Sequence, residues 1–376
     1  MSIINKLAPL GLAAAVVFSA VGARAADPIT LGAVEILTGP ANKYGIAIQN
    51  GFNLALDEVN KAGGVLGRPL AIAYEDSAGN KDQAINAVRN LIGSKNVPLI
   101  LGPTISNEMF AAGPVANQRK VPIVGTSTTA NGITAIGPYV FRTSLPEADV
   151  IPVTLKAARD KLGVKKVAVM YANDDAFSKS GYDVMKATLE KLGMQTLTTE
   201  TFGTKDTDFS AQMTKVKALN PDAILISALV EPASGVILAK KALGVPASVR
   251  VIGGNGLNSP KLGEIAGDAA DGVIVGSPWF IGKKDPINEK FVADYRAKYK
   301  SDPDQFAAQA YDTLFIVAEA IKAAGAPDSE KIKDALVKVK HKGVLGDFSF
   351  TPDRDPADTS GVAVLEMKGG KFGLLP

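Results

Sequence analysis

Ile29-Thr30-Leu31-Gly32-Ala33-Val34-Glu35-Ile36, the run from Asn50 to Lys61, and Leu70-Ala71-Ile72-Ala73-Tyr74 form the stretch whose reading decides the fold. The first and last pieces are short, apolar, rich in branched residues and bounded by Gly or Pro, which is the pattern of a buried strand. Between them, Phe52, Ala55, Leu56 and Val59 recur at i, i+3, i+4 and i+7, so Asn50–Lys61 is expected to be a helix with one apolar face. Ala62-Gly63-Gly64 then supplies a glycine stop. A strand, a helix and a second strand of these lengths imply a parallel pair, because parallel strands need a crossover.

The unit repeats on both sides of this stretch. Ile85, Val88, Leu91 and Ile92 stripe the next helix, and Pro98–Leu101 and Val121–Val124 read as further strands. A second series then begins with a helix over Val150–Leu162 and a strand over Lys165–Tyr171. It continues with a helix carrying Tyr182, Met185, Leu189 and Leu192, closed by Gly193, and with strands at Gln195–Phe202, Ala223–Ser227, Val249–Ile252 and Gly272–Val275. Pro286–Tyr299, Phe306–Ala324 and Asp328–Val339 are expected helices. Gly361–Met367 and Phe372–Leu375 form a closing hairpin. The fold class is therefore α/β, with two similar doubly wound lobes that part near Phe141–Pro146. A chain of 376 residues is long enough to divide in this way.

Composition removes whole classes of function. With Cys 0 and a single His, thiolate nucleophiles, disulfide frameworks and Cys-ligated metal sites are excluded, and no metal or cofactor is expected. His341 lies in Lys338-Val339-Lys340-His341-Lys342 and reads as solvated surface. Lys+Arg 41 against Asp+Glu 38, interspersed along the chain, is no nucleic-acid footprint. Lys6, the 17 uncharged residues Leu7–Ala23 and Ala23-Arg24-Ala25 have the form of a secretory signal, 1–25, cleaved near Ala25/Ala26. The alternative is an uncleaved anchor. Loss of Lys6 and Arg24 leaves 39 basic and 38 acidic residues, and without Cys there is no lipidation site, so a freely soluble periplasmic protein is expected.

No nucleophile elbow, phosphate loop or paired His is present. Gly253-Gly254-Asn255-Gly256 lacks the third glycine of a dinucleotide turn and reads as a loop whose glycines take positive φ. Asp174-Asp175 and Asp302-Pro303-Asp304 read as turns or helix caps. Polar and small residues gather instead at the carboxyl ends of the expected strands, in Leu37–Tyr44, Gly102–Ser106 and Gly125–Thr129, each ahead of an expected helix. Hydroxyls and free N–H groups at helix N-termini hold an anion without any Lys or Arg. Plain N-capping is the competing reading for each of them.

Several of these residues also carry a resemblance. Thr38-Gly39-Pro40 through Tyr44-Gly45, Gly51-x-x-Leu54-Ala55-x-x-Glu58-x-Asn60-x-Ala62-Gly63-Gly64, Leu101-Gly102-Pro103-x-x-Ser106, Val251–Leu257 and Ala308-x-x-Ala310-Tyr311-Asp312, in that order, resemble the leucine/isoleucine/valine-binding family of periplasmic substrate-binding proteins. The resemblance implies a type I periplasmic binding fold joined by a three-segment hinge, with lobe 1 as 26–146 plus 279–350 and lobe 2 as 147–278 plus 351–376. It implies capture of a small carboxylate in the inter-lobe cleft by hinge closure, delivery to an inner-membrane ABC permease, and no enzymatic activity. A monomer is expected.

By the same resemblance Ser106 contacts the ligand carboxylate, Ser127 and Thr129 supply the neighbouring loop, Tyr44 is the first-loop aromatic and Phe177 its counterpart in lobe 2. Thr104 belongs to the same loop as Ser106. Two positions depart from the pattern. Asn255 stands where amino-acid binders of the family place an acid for the ligand ammonium, and Leu229 or Val230 stands where they place a Tyr. Glu231, Asp174 and Asp175 are the candidates to replace the missing charge. The expected ligand is a hydrophobic carboxylate, either an aromatic or keto acid or a branched-chain amino acid, with Trp279 and Phe280 as stacking candidates or, equally, inter-lobe packing. The rival functions are a ligand sensor uncoupled from transport and a secreted α/β hydrolase, which would have to use His341.

Overall fold

The computed structural model describes residues 27–376, so the expected leader lies outside the described residues. The chain opens with β1 (Ile29–Glu35), α1 (Asn42–Lys61), β2 (Leu70–Asp76), α2 (Lys81–Gly93), β3 (Ile100–Leu101), α3 (Ser106–Gln118), β4 (Ile123–Gly125) and β5 (Val140–Arg142). These strands form one parallel sheet in the order β2-β1-β3-β4-β5. Val34, Val88, Leu91, Ile100, Ile123 and Val140 close the core between the sheet and the α2–α3 side.

The second series contains α4 (Glu147–Leu162), β6 (Lys166–Ala172), α5 (Ala176–Leu192), β7 (Gln195–Phe202), α6 (Ser210–Leu219) and β8 (Ala223–Ser227). It goes on through α7 (Val230–Ala242), β9 (Arg250–Gly253), α8 (Lys261–Ala266) and β10 (Val273–Ser277). Next come α9 (Pro286–Tyr299), α10 (Gln305–Ala324), α11 (Ser329–Leu336), β11 (Lys340–Lys342) and β12 (Asp347–Ser349), then β13 (Ala363–Lys368) and β14 (Lys371–Leu374). The second sheet runs β14-β13-β10-β9-β8-β6-β7, parallel except for the antiparallel hairpin β13–β14 at one edge. α10 returns to lie along α1 on the first sheet, with α11 against it. The chain thus passes between the two lobes three times, after β5, after β10 and after β12.

Both sheets reverse their strand order beside the first strand of each lobe, between β1 and β3 and between β6 and β8. Open α/β sheets form a crevice at such a point, outside the carboxyl ends of the strands. The loops 36–41 and 102–105 therefore face the loops 173–175 and 228–229 across the space between the lobes. Asn107 and the start of α5 tie the faces together: Asn107 Nδ2 donates to Asp175 Oδ1 at 2.6 Å and the Ala176 N–H donates to Asn107 Oδ1 at 2.9 Å.

Four expectations change. α1 begins eight residues before Asn50, where Gly45 interrupts its apolar stripe; Gly45 and Gly51 let the helix approach its neighbours, since Cβ atoms there would fall 2.1 Å from the Ile36 carbonyl and 2.2 Å from the Ala307 carbonyl. The 125–129 loop leads into a 3₁₀ turn, Thr134–Ile136, rather than an α-helix. Gly253, Gly254 and Gly256 have no left-handed φ; they are glycines for space, since a Cβ would meet Leu257, Glu147 Oε2 and the Ala228 carbonyl. His341 is not solvated surface: its side chain is 8% exposed, stacks on Phe315 and places Nδ1 3.0 Å from Glu319. Burial alone would lower its pKa, but Asp312 and Glu319 raise it to about 9.

Candidate functional site

The site is assembled from the two crevices. From lobe 1, Tyr44 comes from the first turn of α1, Thr104, Ile105 and Ser106 from the β3–α3 junction, and Ser127 and Thr129 from the loop after β4. From lobe 2, Phe177 comes from the first turn of α5, Leu229 from the residue before α7, and Asn255 and Gly256 from the turn after β9. Phe306, in the first turn of α10, completes the pocket. No Lys, Arg, Asp or Glu lines it.

The hydroxyls divide into those already committed and one with a proton to give. Thr104 Oγ1 donates to Glu35 Oε2 at 2.5 Å and accepts the Ile36 N–H at 2.9 Å, so it ties β1 to β3. The Ser127 hydroxyl donates to the Thr104 carbonyl. Ser106 is the first residue of α3 and its N-cap, Ile105, has no side-chain cap. Its Oγ accepts the Ala130 N–H at 3.2 Å and keeps its own proton for the pocket. Among the described residues the N–H groups of Ser106, Ser127 and Thr129 have no protein acceptor, and those of the α3 end carry the positive end of a helix dipole. Together they make a neutral, donor-rich end suited to a carboxylate.

The opposite end is apolar. Tyr44 and Phe306 meet edge to face with ring centroids 4.8 Å apart, and Phe177 and Leu229 lie across from them. The Tyr44 hydroxyl donates to the Gly256 carbonyl at 2.6 Å and accepts the Val230 N–H at 2.8 Å, so a lobe 1 side chain is bonded to lobe 2 backbone on two sides. Burial, followed by the Glu231 carboxylate, pushes the phenol well above its ordinary range and keeps it protonated.

Eight expected residues, Tyr44, Thr104, Ser106, Ser127, Thr129, Phe177, Leu229 and Asn255, are brought to this one pocket. Trp279 is not. Its indole Nε1 donates to Asn288 Oδ1 at 2.7 Å and its ring packs on Phe291, which fixes it in the crossing after β10, where it lines a separate cavity with Phe280. The acids named as substitutes for the missing charge do not line the pocket either. Asp174 accepts from Thr204, Asp175 caps α5 through the Ser178 N–H at 2.8 Å, and Glu231 is half-buried at the start of α7.

Two functional residues escape a reading of the sequence. Phe306 heads the expected α10 stripe, where its apolarity looked like core. Glu147 stands behind the pocket at the start of α4, 1% exposed. Its Oε1 accepts the Asn255 N–H at 3.0 Å and the Thr129 hydroxyl at 3.5 Å. Burial, opposed by those donors, raises it to about 7. Its only sequence signal is a carboxylate one residue after Leu145-Pro146, which an ordinary helix start explains equally well.

The family model described as periplasmic binding protein matches residues 28–371. The Leu/Ile/Val-binding protein BraC3 of Rhizobium johnstonii is 31% identical over 314 residues, 82% of this chain and 83% of that protein. Among solved structures, the branched-chain amino acid transporter substrate-binding protein LivJ of Streptococcus pneumoniae, in complex with isoleucine, superposes with a TM-score of 0.86 at 29% identity, covering 92% of this chain and 97% of that one. A solute-binding protein of an ABC transporter from Rhodopseudomonas palustris, in complex with 3,4-dihydroxybenzoic acid, superposes with a TM-score of 0.80 at 25% identity, covering 92% and 95%.

Proposed function

The chain belongs to the periplasmic binding protein family, and from that premise we propose that it is the substrate-binding component of a branched-chain-amino-acid-type ABC transporter that captures a small hydrophobic carboxylate between its lobes. The observation that carries this reading is the pocket itself: the Ser106 hydroxyl and unpaired N–H groups at one end, an apolar wall at the other, and no charged side chain between. In a site closed to water, uncharged donors hold a carboxylate firmly. The relatives supply both chemical precedents, isoleucine for LivJ and 3,4-dihydroxybenzoic acid for the Rhodopseudomonas protein.

The lobes are assigned as 26–146 plus 279–350 and 147–278 plus 351–376, a division that accords with the three chain crossings. The ligand enters on lobe 1, and rotation about the crossings brings Phe177, Leu229 and Asn255 over it. Contacts made to both lobes only in the closed form supply the differential energy that shifts the population. A permease that docks the closed form then receives loaded protein selectively. The family is periplasmic, and the leader 1–25, cleaved near Ala26, would place the protein there as a free monomer.

A thermal-shift screen of the mature protein tests the reading. Among leucine, 4-methyl-2-oxopentanoate and benzoate, at least one should raise the melting temperature, since ligand at a hundred times its dissociation constant adds about 2.7 kcal/mol. No shift with any of them, alongside a shift with a sugar or a cationic amine, would overturn it.

A further inference from the structure

Glu147 and Asn255 form a unit that the capture of a carboxylate does not by itself explain. Asn255 lines the pocket and is 4% exposed, yet its Oδ1 has no partner and its amide does no more than approach the Glu147 carboxyl. Behind it, Glu147 Oε2 is also buried without a partner, while Oε1 takes the Asn255 N–H and the Thr129 hydroxyl. One carboxyl therefore supports a pocket residue from each lobe. Gly254 leaves the room, because a Cβ there would lie 2.5 Å from Oε2.

Among the described residues no charged side chain faces this carboxyl. The 126–130 loop and the turn after β9 contribute Thr129, Gly254 and Asn255. On β5, Arg142 is turned away to Asp355 at 2.6 Å and to the Thr128 and Ala130 carbonyls, and on α4 the next acid, Asp149, faces Arg142. An ionised carboxylate buried with one bare oxygen is costly, and a ligand carboxylate that shares Thr129 adds a second negative charge to the same space. Both effects favour a proton on Glu147. With Glu147 neutral, an amide at position 255, and Glu231 behind Tyr44 rather than in the lining, the pocket wall offers hydrogen bonds but no charge to an ammonium, whose desolvation costs several kcal/mol.

We propose that Glu147 is a positioning residue that sets the charge of the ligand: it is protonated in the loaded pocket, holds Asn255 and Thr129 toward the ligand, and restricts capture to monoanionic acids without an ammonium group, namely keto acids and arenecarboxylates. This rests on the carboxylate-capture reading above and narrows it.

The test is calorimetry on the mature protein with 4-methyl-2-oxopentanoate, benzoate and leucine, in buffers of different ionisation enthalpy. The keto acid or benzoate should bind with net proton uptake near pH 7, its affinity falling about tenfold from pH 6.5 to 8.5 as Glu147 loses its proton in the free form. Leucine should bind at least about tenfold more weakly. Glu147→Gln should give a flat pH profile with no linked proton, and the wild-type measurement stands even if that variant does not fold. Leucine binding tightest, or anion binding with no linked proton, overturns this inference and leaves carboxylate capture intact. Binding of none of the three overturns both.

Discussion

A ligand carboxylate held by neutral donors depends on each of them, and the two hydroxyls of the β3–α3 junction do different work. Ser106 has a proton free for the pocket, whereas Thr104 spends both its donor and its acceptor capacity on Glu35 and Ile36. Ser106→Ala should therefore weaken ligand binding by about 1–3 kcal/mol through loss of a charge-assisted hydrogen bond, and should lower the melting temperature only through the single longer bond, 3.2 Å, that its Oγ accepts from the Ala130 N–H. Thr104→Val should do the reverse, leaving the Ile36 N–H and Glu35 Oε2 unpartnered in a buried site and destabilising the fold by about 1–3 kcal/mol. Calorimetry and thermal unfolding of the two variants separate the roles. Wild-type affinity in Ser106→Ala would remove that hydroxyl from the site. The loops that hold both residues were legible in the sequence because helix N-termini and strand ends leave a hydroxyl signature. Which hydroxyl was free was not legible, because Thr104's partner Glu35 lies 69 residues away.

At the scale of elements, the packing of α1 on α10 shows what periodicity reveals and what it hides. The stripe Phe52, Ala55, Leu56 and Val59 marked the second half of α1, and the glycine stop held: the helix ends at Lys61, with Gly63 at φ +100° and Gly64 at φ +75°. Its first two turns, which hold Gly45, were hidden because that glycine breaks the apolar stripe where the helix packs closely on Ile36. Likewise α7 has no apolar stripe to read, being apolar on most sides and opening on Val230-Glu231-Pro232. The buried parallel strands were legible because such a strand is a continuous apolar run, whereas the short antiparallel pair β11–β12 carries no such run and was not read, and Glu147 was invisible because only the tertiary fold carries it to Asn255, 108 residues on. Gly51→Ala tests the close approach. Its Cβ would lie 2.2 Å from the Ala307 carbonyl and 2.9 Å from the Ala310 Cβ, so the helices must part at a cost of about 1–3 kcal/mol. Gly93→Ala, at the end of α2 with open space around it, should be neutral or stabilising by up to about 1 kcal/mol. Urea unfolding of both variants reads the difference, and equal midpoints would show that α1 and α10 are not in backbone contact.

For the whole molecule, the buried acids that frame the cleft make stability depend on pH in a definite sense. Burial raises Glu147 and Glu108 from 4.5 to about 7, and raises Asp304 from 3.8 to about 6. Between the unfolded and folded values of each group the folded chain holds a proton that the unfolded chain has released, so stability falls as pH rises through about 4.5–7. His341, raised to about 9 by Asp312 and Glu319 against the opposing effect of burial, acts in the same direction. Its contribution is complete below about 6.5 and is lost as pH rises to about 9. Carboxylates with lowered values, such as Asp76 and Asp222, oppose this only as pH falls below their ordinary range. The ligand-free protein should therefore melt several degrees higher at pH 5 than at pH 8.5. Glu108 is fully buried and outside the pocket lining, with only Ser77 and the Ile105 backbone near enough to ease its burial, which makes it the contributor to isolate. Glu108→Gln should make the segment of the profile between pH 5 and 7 shallower, with Glu147 and Asp304 still contributing there, and leave the segment above 7, to which His341 contributes, in place. A melting temperature that is constant or rises from pH 5 to 8.5 would mean that these carboxyls are ionised in the fold, and an unchanged profile in Glu108→Gln would assign the slope to the other groups.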